Sequence, residues 1–125
     1  MYVETDFLLA LIKSNDWLGD AAETVYREHS DRLWTSPHTL TELMLVAYRE
    51  ERNVERVVAN AAQLVEVRGD ADRIFAAASH VEENGLTPFD ALHLVASNDD
   101  PIVTSDESYD GLSDRIAPED VTSEE

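Results

Sequence analysis

The chain has no cysteine and a single lysine, Lys13, among its 125 residues. The first absence removes disulfides, thiolate metal sites and cysteine nucleophiles. The second removes a receiver-like phosphoacceptor, which needs a lysine after a late strand to partner its clustered acids. Four scattered glycines form no phosphate-cradling loop. The longest apolar run, Phe7 to Ile12, is far shorter than the roughly 20 residues that span a bilayer. No secretory pattern precedes it, so a cytoplasmic location is expected. Basic charge is scarce too, with 9 Lys+Arg against 27 Asp+Glu and a formal net charge of −18. The basic footprint of an ordinary nucleic-acid binder is therefore missing.

What remains is acid on an apolar frame. The 43% apolar content supports a folded domain with its own core despite the charge. Acid spread over the whole chain, with lysine nearly gone, suggests a protein built for high salt, where charge keeps the fold soluble. The alternative is an acidic protein with a basic partner. At roughly 1 M salt the Debye length shrinks to about 3 Å, so repulsion from a polyanion nearly vanishes. Acidity thus weakens a nucleic-acid role without removing it.

The pattern predicts short strands separated by helices. Met1 to Val3 is β-prone and leads into the apolar run. Asp16 to His29 is expected as a helix, with Trp17, Leu18, Ala21, Ala22, Val25 and Tyr26 at helical spacing. Arg32 to Thr35 reads as a strand, and Ser36-Pro37 as the cap and first residue of the next helix. Asn53 caps another helix, which Gly69 ends. Asp70 begins one that stops at Asn84-Gly85. Thr87-Pro88 repeats the cap-then-proline signature for a helix to about Ser97. Pro101 to Thr104 reads as a buried strand and Arg115 to Ala117 as an edge strand. Residues 1–117 are expected to form one domain, and 118–125 a mobile acidic tail. This alternation argues for a parallel α/β sheet with helices on both faces, where ligands bind outside the carboxyl ends of the strands.

Four acidic segments fall at such edges: Glu4-Thr5-Asp6, Thr39-Leu40-Thr41-Glu42, Thr87-Pro88-Phe89-Asp90 and Thr104-Ser105-Asp106. Each has a plain structural reading. Glu42 and Asp90 both match capping-box spacing, Asp106 suits a turn or a cap, and Asp6 suits a cap. Together they say more. Gathered carboxylates repel unless a cation offsets them, and an all-oxygen set suits a hard divalent ion such as Mg²⁺. Asp90 enters an almost wholly apolar helix, where an unpaired charge is costly. His93 reads as packed or locally hydrogen-bonded, and His38 and His80 have no partner spacing. The residues point to a small metal-dependent hydrolase rather than a serine or histidine one.

These segments resemble the PIN domain, the fold of VapC-type toxins of toxin–antitoxin pairs. Glu4 to Ile12 is similar to the family's opening Asp-Thr-Asn and apolar helix, with Glu4 at the aspartate position and Asp6 at the asparagine. Ser36 to Leu43 resembles its glutamate-bearing second motif, Phe89 to Ala96 its Asp-Ala-Leu-His segment, and Ile102 to Asp110 its closing Thr-x-Asp. The resemblance implies a PIN-like three-layer α/β/α sandwich with a short, mostly parallel central sheet. It implies an endoribonuclease whose Mg²⁺ or Mn²⁺ is held by Glu4, Asp6, Glu42, Asp90 and Asp106. Asp110 either adds an outer contact or merely begins a turn. The implied partners are RNA, a small antitoxin protein and a second copy in a homodimer. Arg49, Arg52 and Arg56 either steer the RNA backbone or are solvated helix charges. The rival expectation is a catalytically weak PIN scaffold that binds or regulates, motivated by Glu4 and the missing basic footprint.

Overall fold

Helices dominate the computed structural model, which describes residues 1–14 and 16–120. They are α1 (Thr5–Ile12), α2 (Gly19–His29), α3 (Pro37–Arg49), α4 (Val54–Leu64), α5 (Asp72–Asn84) and α6 (Pro88–Ser97). The strands are only two residues long: β1 (Trp34–Thr35), β2 (Glu66–Val67), β3 (Ile102–Val103) and β4 (Arg115–Ile116). β1 pairs with β2 and β3 with β4, both in parallel, and Tyr2 bridges Trp34 in parallel. The α/β class with short parallel strands is the one expected. The central sheet, however, is two separate pieces among the described residues.

The helix boundaries follow local chemistry. Ser36 in extended backbone precedes Pro37 at the first helical position of α3, where the missing N–H would be unpaired anyway. The Asn53 side chain accepts from Arg56 N at 2.8 Å, and Thr87 Oγ1 accepts from Asp90 N at 3.4 Å. Gly85 closes α5 at φ +69°, a conformation glycine adopts without a Cβ penalty. Gly69, at φ +118°, passes so close to Pro37 that a Cβ would lie 3.0 Å from its Cδ.

Two expectations need correction. α2 begins at Gly19 rather than Asp16, because Asp16 Oδ1 accepts from Leu18 N at 2.8 Å and forms a turn there. Trp17 therefore lies outside the helix and is 88% exposed. β2 was not foreseen, and Asp70 leads into α5 by accepting from Asp72 N instead of starting it. Of the expected acidic tail, Pro118–Asp120 forms a short 3-10 turn, and residues 121–125 lie outside the described ones.

The core lies between α3, α4, α5 and α6, with α1 against α3 and α4. Leu8, Leu40, Leu43, Met44 and Val58 are fully buried in it. The buried Thr35 hydroxyl donates to Val3 O at 2.8 Å and ties β1 to the N-terminal segment. Thr39, also buried, meets the Tyr2 hydroxyl at 3.1 Å. No buried polar side-chain atom among the described residues lacks a partner. No described helix is long and apolar enough to cross a membrane.

Candidate active site

The acidic segments lie at four element boundaries. Glu4 is the residue before α1, Asp6 is in its first turn, and both are exposed. The helix begins at Thr5, so the N-terminal strand does not continue through the motif to point both acids the same way. Between them, Thr5 Oγ1 donates to Glu42 Oε1 at 2.6 Å, joining the first segment to the second across 37 residues. Glu42 is in the second turn of α3, whose cap is Ser36. Its capping-box reading is thereby excluded.

Asp90 has half of the capping box. Its N–H reaches Thr87, while its half-buried carboxylate accepts from Tyr109 Oη at 3.2 Å. A protein hydroxyl thus supplies one of the partners that the apolar helix made necessary. Burial, followed by the Asp90 and Asp106 charges, pushes Tyr109 up to about 12. Tyr109 therefore remains a protonated donor at neutral pH.

Asp106 caps the short 3-10 helix Glu107–Tyr109, accepting from Ser108 N at 2.9 Å. That backbone bond, the Ser108 hydroxyl and the Arg115 charge hold its carboxyl below the usual range. Asp106 remains a carboxylate beside Asp90. Asp110 pairs with Arg115 at 2.7 Å, and the same guanidinium donates to Thr104 O at 3.2 Å. The Asp110–Arg115 pair braces the closing loop from behind.

Hydrogen bonds thus link Thr5 to Glu42, and link Tyr109, in the short helix that Asp106 caps, to Asp90. Phe89, next to Asp90, shares a pocket with Thr5 and Glu42. No three acidic or histidine side chains among the described residues lie close enough together to hold a metal ion. The donor chemistry nonetheless suits a hard cation: all-oxygen, exposed or half-buried, and with one oxygen of Glu42, Asp90 and Asp106 already oriented by a hydrogen-bond donor. His93 is exposed on α6 rather than packed, beside Thr104 and Tyr109 at a cavity of about 520 Å³.

The PIN domain family matches residues 1–114. The chain belongs to the PIN domain family. PIN domains are in general nucleases that use divalent metal ions such as Mg²⁺. No curated protein and no solved structure is similar enough to match the chain. The PIN assignment spans all four acidic segments. Two other residues at the candidate site, Thr5 and Tyr109, lie within the motif segments, which assign them no role. The only signal for Tyr109 was an aromatic ring three positions after an acid.

Proposed function

We propose that this PIN domain is a Mg²⁺- or Mn²⁺-dependent endoribonuclease that hydrolyses RNA phosphodiesters. The observation that carries the reading is the link between Asp90 and the closing loop: Tyr109, in the short helix that Asp106 caps, donates to Asp90, and Ser108 N donates to Asp106. Glu42, oriented by Thr5, and Glu4 or Asp6 would complete the ligand set, with Asp110 acting through Arg115 on the loop that carries Asp106. A bound ion would supply an activated water and a counter-charge for the phosphate and the leaving oxygen. The chain's own part is to orient carboxylate oxygens and to keep Tyr109 protonated against Asp90. No histidine base is needed.

The cellular role we infer is that of a VapC-type toxin, acting in the cytoplasm as a homodimer and restrained by a small antitoxin protein. The net charge of −18 supports a high-salt setting, and so does the exposed position of most acids. Only four ion pairs are made among the described residues. The second reading, a catalytically weak scaffold, is favoured by the absence of any three-acid group in the described residues.

One assay separates them: incubation of mixed RNA with the protein in high salt with Mg²⁺, Mn²⁺ or EDTA. Cleavage with either ion and none with EDTA supports the enzyme. No cleavage under any condition, by protein shown to be folded, leaves the scaffold.

A further inference from the structure

We propose that the pocket between α3 and the first turn of α6 seats an unpaired nucleobase stacked on Phe89, with the adjoining backbone phosphate on Arg49. The inference rests on the nuclease reading of the neighbouring carboxylates and gives that site a substrate-holding surface. Phe89 is 57% exposed although it immediately precedes Asp90. An aromatic ring left in solvent next to a polar site offers a π-face that any base can stack on. Tyr48, also largely exposed, shares the same pocket of about 390 Å³ with Thr5, Glu42, Arg49 and Phe89. That volume lies within the roughly 300–1,000 Å³ range of small-ligand sites.

Arg49 supplies the charge. It enters none of the four ion pairs among the described residues, so its guanidinium is available to a phosphate oxygen. A neighbouring cavity of about 600 Å³ is lined by the same Tyr48 and Arg49 together with Arg52, Glu51 and Glu82. The Glu82 carboxylate accepts from Val54 N at 2.6 Å. Arg52 pairs with Glu50 at 3.2 Å, which leaves Arg49 as the arginine shared by both cavities and outside the ion pairs of the described residues. Base, phosphate and carboxylates then follow in the order a single strand would need. A second copy of the chain fits less well, because it would press another strongly acidic surface against Glu42.

The test is binding of a short fluorescein-labelled oligouridine in EDTA, where no cleavage occurs, read by fluorescence anisotropy. Phe89→Ala should weaken binding about tenfold, in line with one lost base stack. Phe89→Trp should restore it, and Phe89→Leu should not. Placing a single abasic nucleotide at successive positions should cost the wild type the same factor at one position and cost Phe89→Ala nothing there. Arg49→Gln should flatten the salt dependence of binding. Equal affinities for wild type, Phe89→Ala and Phe89→Leu, with all three folded by thermal melts, would overturn the proposal. So would sedimentation showing a wild-type dimer that Phe89→Ala dissociates with RNA binding unchanged, which would make the patch a contact between copies. The parent reading fails separately: absence of metal-dependent cleavage sinks the nuclease but leaves the abasic result standing.

Discussion

Glu42 and Leu43 are neighbours on α3, and they belong to regions held together in different ways. Leu43 is fully buried among Leu40, Met44 and Val58, where many weak contacts share the work and none needs a particular direction. Glu42 is exposed and fixed by one hydrogen bond from Thr5. Asp90 and Asp106 are likewise each oriented by a donor from the closing loop. The core gains by every group it gathers. The edge gathers like charges at a cost in stability that a bound cation would offset. Stability and chemistry should therefore separate when the two regions are altered one at a time.

The largest expected effect is in the core. Leu43→Ala should lower unfolding free energy by about 2–5 kcal/mol in a denaturant titration, leaving cleavage per folded molecule unchanged. Asp90→Asn should do the reverse. The amide oxygen can still accept from Tyr109, so the fold should survive and gain stability in metal-free buffer. RNA cleavage should fall by more than about 100-fold, beyond the 10–100-fold typical of an outer-shell partner. Unfolding of Asp90→Asn to the extent seen for Leu43→Ala would erase the distinction between the regions.

The first motif sharpens the comparison within the edge. Glu4→Gln is expected to abolish cleavage, and Asp6→Asn to reduce it by only about tenfold, the lower bound for an outer-shell partner. The opposite order, with both variants folded, would make Asp6 the direct ligand.

Tyr109 serves both regions, buried in the core and bonded to Asp90. Its phenol ionises near 10.0 when free and at about 12 in the fold. The raised value means that its stabilising contribution is complete below about pH 10 and is lost as pH rises towards about 12. Tyr109→Phe should lack that alkaline loss while keeping the rest of the profile. Identical alkaline transitions for the two proteins would show that Tyr109 is not the group responsible.

Much of the helical frame was legible because its signals are local. Ser36-Pro37, Asn53, Thr87-Pro88 and Gly85 each act within a turn of the boundary they set. β2 was not legible, since two residues show no alternation and Glu66-Val67 becomes a strand only by lying beside β1. Trp17 was misplaced because the Asp16 side chain competes for a backbone donor that the periodicity assigned to a helix. Motif and spacing propose the candidate acids. Their partners could not: Thr5 reaches Glu42 across 37 residues and Tyr109 reaches Asp90 across 19. Such contacts depend on how α1 and the closing loop dock, which no short segment encodes.

Mn²⁺ binding, measured by the loss of free-ion electron paramagnetic resonance signal in high salt, tests the central claim most directly. Wild-type protein should take up the ion, and Asp90→Asn should bind it much more weakly while remaining folded. No uptake by folded wild type, or equal uptake by the two proteins, would contradict a metal site built on these carboxylates.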